Sequence, residues 1–416
     1  SERADEILTH KWLGPLIFVA ILYGIFQSIF TMATVPMDWI NTGVSHIGNY
    51  FVQTLPGGVL RDLLVEGVIA GVGAIIIFLP QILVLMFFMT LLEDTGYMAR
   101  VAFMMDRLMN KIGLHGKSVL PLMSGYACAI PGIMATRTID NWKERLVTIL
   151  ILPLISCSAR LPVYTLMIGA FIPEKKVMGI FNLQGVTMVM MYFLGTVTAL
   201  AIAAFISRFI KEKGISSFVM ELPPYRIPLA KSVFRQLVIR GKLFIVNAGK
   251  IIMAISIVLW FLASFPKSEL DASALPLHKS YAGKIGQAIE PVIAPLGFDW
   301  KIGVGLITSF AAREVMVSTL ATLYNVEEEG KYVVGITEAL KDDVNPVTGL
   351  PRYTPLVALS IMVFYVYAAQ CMATFAIVRN ETNTWKWPLV MILYMTSLAY
   401  AGSLLVYQGG IMLGFA

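Results

Sequence analysis

The chain has 416 residues, of which 57% are hydrophobic and 14% charged, against the roughly 25% charged residues of soluble domains. That balance excludes a soluble globular domain and identifies a membrane protein. The net charge of +6 resides mostly in short connecting loops, where it sets orientation in lipid, and no basic, aromatic-interleaved patch argues for nucleic acid.

The N-terminus, SERADEILTHKW, carries neither a starting Met nor a signal-type apolar region, so the sequence reads as the membrane part of something longer. Seven segments approach or exceed the ~20 residues that cross a hydrocarbon core: about 13–34, 65–92, 145–172, 183–207, 243–264, 354–378 and 387–408. Two more, 117–136 and 301–324, are apolar but interrupted. Residues 208–242 hold Arg208, Lys211, Lys213, Arg226, Lys231, Arg235, Arg240 and Lys242 against Glu212 and Glu221, which places that loop in the cytoplasm. With the N-terminus inside, the loop 93–116, bearing Arg100, Arg107 and Lys111, is cytoplasmic as well. The count then closes only if 117–136 enters the membrane and returns. The same logic puts 266–300 outside, lets 301–324 dip and return, and leaves the acidic run Glu327, Glu328 and Glu329 outside; the hairpin is the expected reading, although the charges alone also allow two full crossings in this second half.

The expected fold is therefore all-α, a polytopic membrane helical bundle built of two inverted repeats, each with a re-entrant or broken helix. Residues 1–64 form a lead-in, first span and external amphipathic segment, and 65–210 the first repeat. A basic cytoplasmic loop fills 211–242, and 243–416 form the second repeat with the closing spans. Shifted by 184 positions, GLHGKSVLPLMSGYACAIPGIMAT falls on GFDWKIGVGLITSFAAREVMVSTL, matching Gly113 with Gly297, Lys117 with Lys301, Leu122 with Leu306 and Ala127 with Ala311. Each half then places a cysteine, Cys157 or Cys371, in the span after its hairpin. Inverted repeats with interrupted helices are a transporter design whose sites lie near the bilayer midplane.

Lipid offers no hydrogen bonds, so irregular backbone at depth must be buried in protein or line a cavity. The stretch SGYACAIPGIMATR, residues 124–137, concentrates Gly125, Pro131 and Gly132 around Cys128, which predicts a break with a thiol at its tip. Pro153, Pro162 and the Ser156-Cys157-Ser158 cluster predict a second one, whereas no break is legible at Cys371. An odd count of three cysteines within or beside apolar segments suits free thiols or ligands better than disulfides. Cys128, Cys157 and Cys371, with Met134 nearby and the intramembrane Glu314 beside Arg313, form the candidate metal-ligating set. Thiolates and thioethers favour transition metals over Na⁺, Mg²⁺ or Ca²⁺, and an intramembrane carboxylate is a functional candidate by default. Against this, buried Cys and Met often only pack. His10, His46, His115 and His278 fall outside the spans, and Glu93 and Asp94 read as the capped end of a span. GLHGKS is not a phosphate loop, because Lys111 stands where its first glycine belongs and no strand precedes it. Gly67, Gly71 and Gly73 read as close helix packing.

GYACAIPGIMATRTIDNWKERLVTILILPLISCSARLPVY resembles the first Gate region of the ferrous iron transport protein B (FeoB) family. LLEDTGYMARVAFMMDR is similar to the segment before it, SFAAREVMVSTLATLY to the second Gate, and WKWPLVMILYMTSLAYAGSLLVYQ to the closing span. The resemblance covers essentially the whole chain, and departs from the family in having Gly132 where Ala is usual. It implies Fe²⁺ carried as substrate across the bacterial inner membrane, with Cys128 and Cys157 on the two Gate cysteines and Cys371 on a third. It also implies a GTP-binding domain, for which this sequence shows no site, whether cut away or a separate chain. A small cytoplasmic FeoA-like partner, a homo-oligomer and membrane lipid complete the implied partners. No nucleophile and base pair stands out as an enzyme's, and a nucleoside or other small organic solute carrier is the alternative reading of the same paired hairpins.

Overall fold

The computed structural model describes residues 5–415 except 7, 9, 11–12, 78, 115, 178–180, 210–224, 267–279, 311–312, 325–331, 345–348 and 350. Lys211, Glu212, Lys213, Glu221, Glu327, Glu328, Glu329, His115, His278 and Ala311 thus lie outside the described residues.

The helices in chain order are α1 (Leu13–Met32), α2 (Thr34–Thr54), α3 (Val59–Asp62), α4 (Ala70–Ile77), α5 (Leu79–Asp94), α6 (Tyr97–Lys111), α7 (Val119–Ala127), α8 (Ala129–Ala135), α9 (Trp142–Ile151) and α10 (Leu161–Phe171). There follow α11 (Leu183–Phe209), α12 (Ala230–Phe244), α13 (Lys250–Ser264), α14 (Tyr281–Ile293), α15 (Trp300–Thr308), α16 (Val315–Leu323), α17 (Tyr332–Lys341), α18 (Pro355–Tyr367), α19 (Met372–Thr382) and α20 (Lys386–Met412). Extended pairing among the described residues is confined to the ladder of β1 (Lys176–Val177) with β2 (Phe181–Asn182) and one isolated bridge, Val344 to Pro351. The protein is an all-α membrane bundle.

Among the described residues, four helical stretches are long and apolar enough to span a membrane: Trp142–Phe171, Leu183–Arg208, Pro355–Thr382 and Lys386–Met412. They meet the expected 145–172, 183–207, 354–378 and 387–408. The first and third are interrupted, and 78% of each apolar window is buried, against 22% in the two continuous ones. That division follows from the backbone, since a break cannot face lipid and an unbroken helix can. Two expected spans are more fragmented. The region 65–92 divides into a π-helical turn Leu63–Ile69, α4 and α5, with Pro80 near the start of α5, where it cannot continue a preceding helix. Leu79–Asp94 then bends by 81° into Tyr97–Asp106, through Gly96 at a left-handed φ of 80°. The region 243–264 begins in the π-turn Ile245–Gly249 that joins α12 to α13.

The chain forms two compact units, residues 1–155, 198–256 and 373–384 in the first and 156–197, 257–372 and 385–416 in the second. In the first, small residues let helices approach: a Cβ on Gly71 would lie 3.0 Å from Ser256 of α13, and one on Gly73 would lie 2.6 Å from Val44 of α2. The GKS turn packs on α6, where Gly116 N donates to Asp106 Oδ1 at 2.9 Å and a Cβ at 116 would strike the Ala102 carbonyl. In the second, α18 packs on α20 through Ser360 and Ser403, whose hydroxyls are 2.6 Å apart.

The repeat is written in the backbone as well as the sequence. Helices α6 and α14 start at Tyr97 and Tyr281, again 184 positions apart. Each leads into a glycine with left-handed φ, Gly113 at 74° and Gly297 at 83°. The next amide donates back to close a Schellman turn, Leu114 N to Met109 O and Phe298 N to Ile293 O. Lys117 and Lys301, matched in the repeat, each pair with an aspartate, Asp140 at 2.7 Å and Asp343 at 2.6 Å. Both halves end in a 27-residue helix, α11 and α20.

Candidate functional site

The first interruption falls at Cys128, whose extended backbone, φ −157° and ψ 134°, separates α7 from α8. In a continuous helix residues 125 and 132 would stand about 10 Å apart along the axis. Here a Cβ on Gly132 would lie 3.3 Å from the Gly125 amide and 2.8 Å from the Pro121 carbonyl, so the two half-helices fold back on one another as a hairpin. Neither glycine has positive φ; both are required by close approach, with Leu152 of the following 3₁₀ turn filling the space against them. Pro131 is the third residue of α8, early enough to cost little of its hydrogen bonding. Cys128 is half-buried.

The second hairpin is built alike. Thr308 at the end of α15 and Thr319 of α16 hydrogen bond at 2.7 Å, and a Cβ on Gly305 would collide with Met316. Glu314 is half-buried and stands immediately before α16.

Cys157 occupies the predicted second break. Helix α9 tightens into the 3₁₀ turn Leu152–Leu154 containing Pro153, the chain runs extended through Ile155 and Cys157, and α10 resumes with Pro162 in its first turn. Cys371 corrects the expectation that no break lies there. α18 stops at Tyr367, and Ala368 turns extended with φ −60° and ψ 139°. No Pro or Gly signals it; the second hairpin supplies the bonds that the helix forgoes. Met372 N donates to Phe310 O at 3.3 Å, and Arg313 Nη2 donates to Ala368 O at 3.1 Å. The other arm of Arg313, Nη1, lies 4.0 Å from Cys157 Sγ. One guanidinium of the second unit thus joins a hairpin turn to both interrupted spans.

Arg313 is 5% exposed and Arg160, three residues after Cys157, is 0% exposed with Nη1 on Ser156 Oγ at 3.2 Å. Charges buried within membrane segments are expensive and mark function. At 4 Å and an effective dielectric of about 20, unit charges repel by about 4 kcal/mol, and a divalent ion at the thiol would face about 8 kcal/mol from Arg313 in its present place.

In the first unit a cavity of about 320 Å³ is lined by Met86, Met89 and Glu93 of α5, Ser124, Pro131 and Met134 of the hairpin, and Arg137. Thioethers from two elements are joined there by the exposed Glu93 carboxylate, the Ser124 and Thr138 hydroxyls and the Arg137 guanidinium. Beside it Glu381 of α19 accepts from Arg137 Nη2 at 2.6 Å and Nε at 3.0 Å, and from Arg145 Nη2 at 2.6 Å, fastening the hairpin exit to α9 and α19.

Of the expected ligands, Cys128 and Met134 belong to the first unit and Cys157, Cys371 and Glu314 to the second. No group of three or more His, Cys, Asp or Glu side chains able to hold a metal forms among the described residues. Sequence reading missed Arg160, the bridging role of Arg313, and Glu381. The first two were signalled by an arginine inside an apolar run, in SCSARLP and SFAAREV. Glu381 finds its partners 236 and 244 residues away, which no local pattern records.

Comparison with known proteins agrees with this architecture. Residues 75–171 and 245–385 match the Gate family, described as nucleoside recognition. Residues 188–240 match the family described as ferrous iron transport protein B C terminus. The chain is 46% identical over its full length to a Leptospira biflexa protein named Fe(2+) transporter FeoB, covering 60% of it. It is 38% identical over 99% of its length to a Porphyromonas gingivalis Fe(2+) transport protein A/Fe(2+) transporter FeoB fusion protein, covering 52% of that protein. A Staphylococcus aureus Fe(2+) transporter FeoB is 38% identical over 99% of the chain, with 59% of the relative covered. The chain thus spans about half to three-fifths of the length of these relatives. No solved structure matches it.

Proposed function

The chain belongs to the FeoB family, and from that premise we propose that it forms the membrane pathway by which ferrous iron enters the bacterial cytoplasm across the inner membrane. The observation that carries this reading is the placement of all three cysteines, Cys128, Cys157 and Cys371, at or immediately beside interruptions of membrane helices. At such points the carbonyls that end a half-helix lack helical partners and carry partial negative charge. A thiol beside them adds a soft donor that favours a divalent transition-metal ion such as Fe²⁺ over Mg²⁺ or Ca²⁺.

In this reading Fe²⁺ sheds part of its water shell to Cys128, Cys157 and Cys371, with Glu314 and Met134 as further donors. The contacts remain few, so that the ion leaves as readily as it arrives. Gly125, Pro131, Gly132, Pro153 and Pro162 hold the breaks and act as hinges for the gates. Thiols deprotonate on binding a metal, so uptake weakens in acid. Opening is coupled to a GTP-binding domain. A FeoA-like partner is suggested by the fused relative's name, and membrane lipid surrounds the continuous helices α11 and α20.

A second reading, a carrier of nucleosides or other small organic solutes, draws on the description of the Gate family and on the two buried guanidiniums near Cys157, which suit an anionic group better than a cation. Anaerobic Fe²⁺ entry into liposomes separates the two, measured for wild type, Cys128→Ser, Cys157→Ser and Cys371→Ser with the relative-type GTP-binding domain supplied. Loss of entry in folded serine variants supports the thiol pathway. Unchanged entry removes the thiols from it, and solute uptake indifferent to the cysteines favours the carrier.

A further inference from the structure

Arg313 holds two acceptors of different kinds: the soft sulfur of Cys157 at 4.0 Å and the carbonyl oxygen of Ala368 at 3.1 Å. Among the described residues its hydrogen bonds go to no carboxylate. Its Nε is buried with no hydrogen-bond partner among the described residues, so these leave the side chain incompletely satisfied where it lies. A structural arginine buried at depth is normally saturated by carboxylates or carbonyls, because the penalty of burying its charge is offset only that way. Here the donors surrounding the guanidinium are those that a divalent transition ion takes, a thiol and a half-helix carbonyl. The positive charge already sits among them.

We propose that the Arg313 guanidinium is a tethered substitute for the transported ion. It occupies the position between Cys157 and Ala368 when the site is empty, and must withdraw for a divalent cation to bind. The inference rests on the reading of Cys157 as an ion ligand and adds to it the residue that keeps the site neutralised between ions. Two features follow. The broken ends of the span Pro355–Thr382 stay pinned to the hairpin turn while no ion is present, because Arg313 supplies a bond that the break has lost. Entry of an ion frees the Ala368 carbonyl from the turn at the same moment as it takes the thiol. Arg313 is then a positioning residue that couples occupancy to the hold of the hairpin on α18. The neighbouring Arg160 has a different place, with its Nη1 on Ser156, and remains there.

The test uses the full chain in detergent under anaerobic conditions with Co²⁺ as the probe, read by its thiolate charge-transfer absorption. In Arg313→Gln the competing charge is gone, and the dissociation constant for Co²⁺ should fall at least tenfold. Arg313→Lys keeps the charge and should stay within threefold of wild type. Adding Cys157→Ser to Arg313→Gln should abolish the gain. In the unsubstituted protein, Arg313 should become more reactive to phenylglyoxal, mapped by mass spectrometry, when Co²⁺ is added, and this increase should vanish in Cys157→Ser. The second measurement stands if the glutamine variant fails to fold. Equal or weaker Co²⁺ binding in Arg313→Gln, or phenylglyoxal reactivity that is unchanged or lowered by Co²⁺, identifies a permanent pin and overturns the proposal while leaving Cys157 as a ligand. Absence of Co²⁺ binding in every variant overturns this proposal and the ligand reading together.

Discussion

Glu381 is the strongest test of how the first unit is held together. Its carboxylate is 5% exposed and accepts from Arg137 and from Arg145, each with a contact of 2.6 Å. It stands in the last turn of α19, where the helix dipole disfavours an anion, a cost that the two arginines offset. The contributions are unequal. Arg137 is 62% exposed, and its pair is worth at most about 1 kcal/mol because water screens it. Arg145 is 21% exposed and approaches the case in which removing one partner of a buried pair costs about 3–5 kcal/mol. Glu381→Gln preserves shape and one acceptor, so about 2–3 kcal/mol should be lost. For a domain of roughly 150–250 residues each kcal/mol moves the melting temperature by about 2–4 °C, giving a fall of about 5–10 °C in detergent. The double variant Arg145→Met with Glu381→Gln removes the stranded charge as well and should recover at least half of the loss. A Glu381→Gln protein melting within about 1 °C of wild type, or a double variant less stable than the single, refutes the assignment of the energy to this pair.

Other outcomes follow from the same geometry. Gly132→Ala forces a Cβ to 2.8 Å from the Pro121 carbonyl, a backbone atom that cannot rotate away, and should cost about 1–3 kcal/mol in thermal unfolding. Gly125→Ala meets the Leu152 Cδ2 methyl at 2.6 Å and should cost less, because that side chain can turn. Gly297→Ala combines a left-handed φ of 83° with collision against Tyr407, so it should lower expression and stability more than Gly349→Ala, whose φ of 68° opens on free space. Burial raises the Asp343 carboxyl, but hydrogen bonds from Lys301 and Tyr324 and the charges of Lys301 and Arg352 outweigh it and hold its pKa below the ordinary 3.8. A depressed carboxylate contributes stability that is complete above its unfolded value and is lost as pH falls through the folded one. Wild type should therefore keep the clamp down to about pH 4 and lose it below, while Asp343→Asn should be destabilised at pH 7 and show a smaller further loss below pH 4. An identical acid dependence in the two proteins would contradict this.

What was legible in advance was whatever leaves a local mark. Gly and Pro around Cys128 and Cys157 announced the breaks, because those residues alter backbone behaviour wherever they stand. Apolar length announced the continuous helices, and the match of Gly113 with Gly297 proved to be a match of left-handed turns. Cys371 was read without a break because its interruption owes nothing to its own neighbours. A carbonyl at 368 is claimed by an arginine 55 residues earlier, and an amide at 372 by a carbonyl at 310. The regions 65–92 and 243–264 were read as simple spans because hydrophobicity counts length and is blind to π-turns. The Glu381 clamp lay beyond reach for a similar reason: its charges come together only once distant segments have packed.

The distance along the chain between Cys157 and Arg313, 156 residues, has a consequence for synthesis. At about 5–20 residues per second, roughly 8–30 s separate the moment when the broken span Trp142–Phe171 is made from the moment when the arginine that reaches its thiol exists. During that interval a hydrophobic segment with an interrupted backbone has no permanent neighbour on that side. The break keeps its local bonds, Ile155 N to Leu152 O and Arg160 N to Cys157 O, but the thiol lacks its distant partner throughout that time. The contact that ties this break to the second hairpin is therefore made well after the span itself, late in the biogenesis of the chain.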